Sequence, residues 1–419
     1  MQELALLSRP PAPAADSYRV TVLHEGAIIQ NGHSDPGRRN AITDTSLPRV
    51  VFPALATNDC AYLNSGGSGP PPDYVLRAMR EADDLCSGPA YLEGVGLYAH
   101  QAETNSRARE AAARLVGTED VALTQNTTHG MNLGVASIDW REGDEVVSVT
   151  TEHPGCLVPL HNLRARFGAK IDLVSPPVTP EKIEAFLTPR TRLVALSHVD
   201  WTNGEVLPLR EICALARERE VLTLVDGAQA VGNVPVDVPA MGADMYAFTG
   251  HKWVLGPEGM GAFYVRPGLP VYSPNVGFLS LLAPEDFDID GGYKLRSDAR
   301  RFEASTMSPT LAGGLAAAAD AVYERGIAGF EEIQHRADVL MDLLSELPRV
   351  TIRSPRPAQS GLVSFEVEGM AAEDAVERLL EQGFILRYLP DPNPYVRAST
   401  HLFNTEDELE ALAEAMREM

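Results

Sequence analysis

A chain of 419 residues with 44% hydrophobic and 22% charged side chains has the size and composition of a globular protein with a large core, built as two interlocked domains or one large and one small. Its 35 basic against 58 acidic side chains leave a formal charge of −23, a field that repels nucleic acid and anionic membrane surfaces and otherwise serves solubility. Cys60, Cys86, Cys156 and Cys213 lack the close spacing of a zinc site or redox dithiol, no run approaches the roughly 18 apolar residues of a membrane span, and no secretory leader is evident. Reduced thiols, no bound metal and a cytoplasmic location are the expectation.

Residues 1 to about 55 hold the run Arg9-Pro10-Pro11-Ala12-Pro13 and little periodicity, which reads as an arm crossing the surface or a partner subunit, or as a disordered tail. Order returns at Ala61-Tyr62-Leu63-Asn64-Ser65-Gly66-Gly67-Ser68-Gly69-Pro70, whose glycines suit turns or close approach to a ligand. The pattern is helical from Pro71, and Ser106 to Val116 alternates Arg, Glu and Ala as an amphipathic helix closing at Gly117. Val121 to Thr124 reads as a strand running into Gln125-Asn126-Thr127-Thr128-His129, where a helix begins. Free N–H groups and the positive dipole end there suit an anion, so Thr127 and Thr128 are phosphate candidates, with plain helix capping as the other reading.

Asp144 to Thr150 is a strand candidate ending in Thr151-Glu152-His153-Pro154-Gly155, and His153 is either structural or chemical. A helix from about Cys156 to Phe167, a strand Lys170 to Val174 and a buried strand Leu193 to Val199 continue an α/β rhythm. Asp200-Trp201-Thr202-Asn203-Gly204-Glu205 follows. Val221 to Val225 is an apolar run that ends abruptly in Asp226, at the strand edge where open α/β sheets place ligands. Met245 to Phe248 is a second such run, ending in Thr249-Gly250-His251-Lys252. Each charge alone also fits a solvated loop. Together they fit a Schiff-base lysine and the carboxylate partner of a pyridinium nitrogen, as in pyridoxal phosphate enzymes. Asp226 would keep that nitrogen protonated by opposite-charge attraction, and Lys252 would carry protons at the substrate α-carbon.

Residues 268 to 300 read as a connecting loop, and Arg301-Phe302-Glu303-Ala304-Ser305-Thr306-Met307-Ser308-Pro309 leads to an alanine-rich helix running toward Tyr323. Gly361 to Val367 alternates as a half-buried strand, Ala372 to Glu381 follows as a helix, and Asn404-Thr405 looks like a helix cap. Within Tyr395-Val396-Arg397-Ala398-Ser399, Arg397 can grip an α-carboxylate through two parallel hydrogen bonds or form a structural salt bridge.

The stretches Val225 to Ala230, Asp244 to Trp253 and Gly256-Pro257-Glu258-Gly259 resemble the class V aminotransferase family, and the resemblance extends from about residue 60 to 415. It implies an α/β fold type I pyridoxal-phosphate enzyme. A large domain at 71–310, with a mainly parallel seven-stranded-type sheet flanked by helices, would bind the cofactor. A smaller C-terminal α/β domain would occupy 311–419, and an N-terminal segment at 1–70 would contribute to the small domain and the pocket. It further implies pyridoxal 5'-phosphate on Lys252, His153 over the ring face and able to handle protons, Asp226 on the ring nitrogen and Gln229 on the ring hydroxyl. Thr127, Thr128, Thr249 and His251 would hold the phosphate, Arg397 the substrate, and Thr306 would cross a homodimer interface to the neighbour's phosphate, giving shared active sites. Trp201 stands where desulfurases of the family usually have asparagine, which leaves open whether it or Asn203 meets the cofactor.

Desulfurases also need a mobile nucleophilic cysteine before the carboxylate-binding arginine, and Gly383 to Pro394 has none. Cysteine-free relatives of the desulfurases commonly carry out β-elimination, so the resemblance implies a C-S lyase acting on a cysteine-derived or related amino acid. An aminotransferase or an epimerase resembling isopenicillin N epimerase would use the same residues, and a non-catalytic cofactor-binding protein is a further alternative.

Overall fold

The computed structural model describes residues 47–419 except 89, 90, 93, 284 and 286. Most of the expected N-terminal arm lies outside the described residues. The chain runs through α1 (Pro53–Ala56), β1 (Ala61–Tyr62), α2 (Asp73–Ser87) and α3 (Val95–Leu115). Helix α3 begins well before Ser106; the turns carrying Tyr98 and His100 lack the Arg/Glu/Ala alternation, and the helix joins the core through Ala108, Ala111, Ala112 and Ala113 in its second half.

Seven strands then alternate with helices: β2 (Ala122–Thr124), α4 (Thr127–Ala136), β3 (Glu145–Val149), α5 (Pro154–Phe167), β4 (Lys170–Val174), α6 (Pro180–Glu184), β5 (Thr191–Ser197), α7 (Leu209–Glu218), β6 (Leu222–Asp226), α8 (Val238–Met241), β7 (Met245–Thr249) and β8 (Gly261–Val265). They form one sheet in the order β2-β8-β7-β6-β5-β3-β4, parallel except that β8 runs antiparallel to both of its neighbours. Every residue of β7 and β8, and all of β6 after Leu222, is buried. Helices cover both faces, which is why these strands read as unbroken apolar runs rather than as alternation. One face packs on α3 and the alanine-rich helix, the other on α4 and α5 with Phe263 and Phe302 edge to face at 5.4 Å.

The alanine-rich helix α9 (Pro309–Ser345) extends far past Tyr323 and is broken at Gly326, whose φ of 56° and ψ of −146° lie outside helical space. Ala312 to Val322, before the break, join the core of the large sheet; Ala337 to Leu344, after it, join a second core. That second core belongs to β9 (Val350–Ile352), β10 (Leu362–Val367), α10 (Ala372–Glu381), β11 (Phe384–Ile385), β12 (Arg387–Tyr388), β13 (Val396–Ser399) and α11 (Glu406–Arg417). β12, β13, β10 and β9 make an antiparallel sheet, while β11 pairs with β1 and draws Ala61 and Leu63 into the same core. Helix α11 starts in a capping box in which Thr405 accepts from the Glu408 N–H and Glu408 reaches back to the Thr405 N–H.

Candidate active site

The parallel strands deliver their C-terminal ends to one edge, and there Asp226 closes β6 while Lys252 follows β7 by three residues. Asp226 is 6% exposed, and its Oδ1 accepts the Ala228 N–H at 2.9 Å. Burial pushes this carboxyl up from 3.8, opposed by the Ala228 N–H and by Lys252. Lys252 is pushed down from 10.5 to about 8, first by burial and then by Arg397 and Arg387, with Asp226 pulling the other way. Gly227 has no room for a side chain, since a Cβ would lie 2.2 Å from the Tyr246 ring.

Asp226 and Lys252 line a cavity of about 280 Å³ together with Asn126, Thr127, Thr128, His153, Ala228, Thr249, His251, Gly67 and Arg387. At one end stands the start of α4, where Asn126 Oδ1 accepts the His129 N–H at 2.9 Å. The first amides of the helix have no intrahelical acceptor, and the Thr127 hydroxyl is buried without a partner. Beside it Thr249 Oγ1 and His251 Nδ1 meet at 2.7 Å. A larger groove of about 480 Å³ on the small sheet, lined by Arg349, Thr351 and Glu366 among others, brings together no comparable chemistry.

His153 caps α5 with its own ring, Nδ1 accepting the Gly155 N–H at 2.9 Å. A neutral ring held this way carries its proton on Nε2. Burial, reinforced by Lys252, Arg387 and Arg397, pushes the imidazole down to about 4, so it is a face to pack against and a weak base. The Trp201 ring stands edge-on to it, with centroids 5.0 Å apart.

Arg397 has no solvent exposure. Its Nη1 donates to the Trp201 carbonyl at 2.8 Å, while Nε and Nη2 are buried with no partner. Burial, with Arg387 adding to it, pushes this guanidinium down to about 9. Strand pairing sets Arg387 directly opposite Arg397. The sequence reading did not assign Arg387 to the site, because its place follows from a two-residue strand with no motif of its own. A molecule of net charge −23 thus gathers Lys252, Arg387 and Arg397 at one place.

Glu152 was also passed over, although it adjoins His153. It is 6% exposed and accepts from both Ser197 N–H and Ser197 Oγ–H at 2.6 Å, tying the turn after β3 to the end of β5. Burial, with Asp226 and Asp200 nearby, pushes its carboxyl up to about 8 against the Ser197 bonds, so it is largely neutral at pH 7.

Of the expected site residues, Gln229, Thr306 and Arg397 are not among those lining the cavity, and neither are the two alternatives Trp201 and Asn203. Gln229 has one amide hydrogen and one lone pair engaged: Nε2 donates to Gly66 O at 2.9 Å, and Oε1 accepts from Trp253 Nε1 at 2.8 Å. Thr306 is exposed on the loop before α9. Asn203 turns back on its own loop, Oδ1 accepting the Glu205 N–H at 2.9 Å. Trp253, next to Lys252, is fully buried, stacks on His401 at 5.9 Å and receives the His401 Nε2 at its carbonyl at 3.1 Å. His401 in turn stacks on Phe403 at 5.3 Å.

The donor set fits pyridoxal phosphate: an unpartnered hydroxyl at a helix start for the phosphate, a lysine for the aldehyde and a buried carboxylate for the ring nitrogen. Fold and site define an α/β enzyme of fold type I, the architecture of its solved structural neighbours. The chain belongs to the aminotransferase class-V family, which matches residues 61–412. It is 32% identical over 342 residues to a probable cysteine desulfurase of Xylella fastidiosa, covering 75% of this chain and 80% of that one. It is 30% identical over 402 residues to a cysteine desulfurase of Escherichia coli, covering 88% and 96%. Among solved structures, C-DES with glycine covalently linked to its PLP cofactor superposes with a TM-score of 0.82 at 30% identity, over 89% of this chain and all of that one. The complex of the cystine C-S lyase C-DES with its product cysteine persulfide gives 0.80 at 31% identity, over 88% and 99%.

Proposed function

We propose that the chain is a pyridoxal-phosphate-dependent lyase that eliminates the sulfur substituent of a cysteine-derived amino acid. The observation that carries this reading is the meeting of Lys252 and Asp226 around one cavity, with the guanidinium of Arg397, whose Nε and Nη2 have no partner, close enough to disfavour protonation of Lys252. The cofactor, when bound, supplies an aldehyde for Lys252 and a ring that accepts electron density from the substrate α-carbon. Thr127, Thr128, Thr249 and His251 hold its phosphate, His153 covers one ring face, and Asp226 holds the ring-nitrogen proton. Gln229 serves the ring hydroxyl through the second lone pair of Oε1 or the second hydrogen of Nε2.

Arg397 binds the substrate α-carboxylate through Nε and Nη2, and Arg387 adds positive charge at the cavity wall. Lys252 Nζ, neutral in part near pH 7, takes the α-proton. Departure of the β-sulfur as thiolate completes the elimination, so that one S-substituted cysteine and one water give a thiol, pyruvate and ammonium. The relatives named cysteine desulfurase and the C-S lyase C-DES support sulfur chemistry at a cysteine side chain. Persulfide formation on the protein is disfavoured by the cysteines present. Cys86, Cys156 and Cys213 are buried with thiols pushed up by burial, and Cys60 lies outside the Gly383–Pro394 segment.

The proposal includes a homodimer in which the exposed Thr306 reaches the neighbour's phosphate, a cofactor domain at 71–310, and a small domain at 311–419 that takes Ala61 and Leu63 into its core. A cytoplasmic setting suits four free thiols, and among the described residues no helix is long and apolar enough to cross a membrane. Incubation of the purified protein with cystine, S-alkylcysteines and other amino acids tests the reaction. Pyruvate with a released sulfur product is expected. A 2-oxo acid formed with the amine left on the cofactor, or an inverted amino acid, would instead assign transamination or epimerisation.

A further inference from the structure

Trp201 stands between the two groups just assigned to the cofactor ring and to the substrate carboxylate. Its ring lies edge-on to His153, with centroids 5.0 Å apart and planes at 86°, and the Arg397 Cζ lies 6.0 Å from the centre of the same indole. The indole Nε1–H donates to the Thr151 carbonyl at 2.7 Å, on the turn that carries His153. Its own carbonyl accepts Arg397 Nη1 at 2.8 Å. One buried residue, 9% exposed, therefore meets His153 by its ring and Arg397 by both its ring and its backbone carbonyl.

The turn that presents Trp201 has little freedom. The Asp200 N–H donates to Glu205 O and the Gly204 N–H to Asp200 O, both at 2.8 Å. The Asp200 carboxylate accepts the Thr202 N–H at 2.7 Å, the Thr202 hydroxyl at 2.6 Å and the Thr151 hydroxyl at 2.5 Å. The loops after β3 and β5 are thus joined by the Thr151–Asp200 and Trp201–Thr151 bonds. A guanidinium can offer a carboxylate either its Nη1–Nη2 end or its Nε–Nη2 side. The Trp201 carbonyl takes one of the two Nη1 hydrogens, and the two atoms with no partner are Nε and Nη2. The side-on edge is the one whose two nitrogens are both free for an anion. The His153 ring is held in its plane by Gly155 at Nδ1 and met across its edge by the indole.

We propose that Trp201 is a positioning residue that selects the Nε–Nη2 edge of Arg397 and sets that edge in register with the His153 ring. The inference rests on the function proposed above, and it makes one residue responsible for aligning the substrate's carboxylate with the ring face: its carbonyl takes up Nη1, and its indole, bonded to Thr151 and set against His153, holds that carbonyl in place.

The test compares holoenzyme variants Trp201→Ala and Trp201→Phe. Both keep the backbone carbonyl, and only the second keeps a ring. Binding of glycine, which has no leaving group, is followed by cofactor absorbance, and cofactor seating by visible circular dichroism. Trp201→Ala should weaken glycine binding about tenfold and alter the dichroism, while Trp201→Phe should return both to within about threefold of the parent. With a reactive substrate the loss should fall mainly on KM. Unchanged glycine binding in Trp201→Ala would overturn the proposal, as would equal losses in the two variants, which would place the effect in the Thr151 bond instead. Weaker binding with unaltered dichroism would overturn the coupling to His153. If the parent showed no cofactor band, the cofactor reading itself would fail. The Trp201 inference would then be decided by acetate titration of tryptophan fluorescence, taken as parent minus Trp201→Phe. A saturable difference supports an anion at Arg397 beside the indole, and no difference overturns it.

Discussion

The depressed basicity of Lys252 sets the rate at which the protein can capture its cofactor, because only the neutral amine attacks an aldehyde. Lowering an amine from 10.5 to about 8 corresponds to about 3 kcal/mol of disfavoured charging, and at pH 7 it raises the neutral fraction from about one in 3,000 to about one in ten. Cofactor-free protein mixed rapidly with pyridoxal phosphate should therefore show a capture rate that climbs about tenfold per pH unit below a midpoint near 8 and then levels. The rate is read from visible absorbance. Division by the rate for acetyl-lysine at each pH, corrected for that amine's own neutral fraction, removes the cofactor's titration. Asp226→Asn removes the charge that favours the ammonium and should move the midpoint down; Arg387→Gln removes one that disfavours it and should move the midpoint up. A midpoint near the ordinary lysine value, or one that neither substitution moves, would refute the account. The same titration bears on stability. Below pH 8 the lysine is charged in both folded and unfolded protein and the full penalty applies; between 8 and 10.5 the unfolded chain binds more protons, so this group makes the cofactor-free fold more stable as pH rises.

Arg397→Met should raise the substrate concentration required by about tenfold to a hundredfold while cofactor stays bound, and an unchanged KM would count against the carboxylate role. Asp226→Ala should slow α-proton exchange of glycine, measured by deuterium incorporation; a parental rate would reject its hold on the ring nitrogen. Replacing all four cysteines with serine or alanine should leave pyruvate formation intact, and alanine formed from cysteine by the parent but lost on removing Cys60 alone would revive a persulfide route. Phe302→Ala opens the core between the sheet and α5, where Phe302 is 1% exposed against Phe263, and should cost about 3–5 kcal/mol of unfolding free energy in denaturant titration.

What could be read from the chain follows from what is local. Asp226 and Lys252 were visible because strands covered on both faces are apolar throughout, so the first charge after each run marks its end. Thr127 and Thr128 were visible because a strand, a short turn and a helix start lie within a few residues. Arg387 was not, because its place depends on pairing with Arg397 in a sheet whose register no local pattern announces. Gln229 was placed near the ring by resemblance alone; the bonds that orient its amide, to Gly66 and Trp253, come from partners 163 and 24 residues away in sequence and have no local pattern. The early start of α3 has no such local pattern, and the break of α9 falls at Gly326, a residue that tolerates a positive φ.

The column behind Lys252 has one more meaning. Trp253 is clamped through its indole by Gln229, through its carbonyl by His401 and through its ring face by the His401–Phe403 stack. The backbone that bears the lysine is thereby a fixed pivot. On the proposed function, letting go of one bond, collecting a proton and handing it back then fall to rotation about the bonds of the lysine side chain alone, a short swinging arm whose anchor does not travel with it.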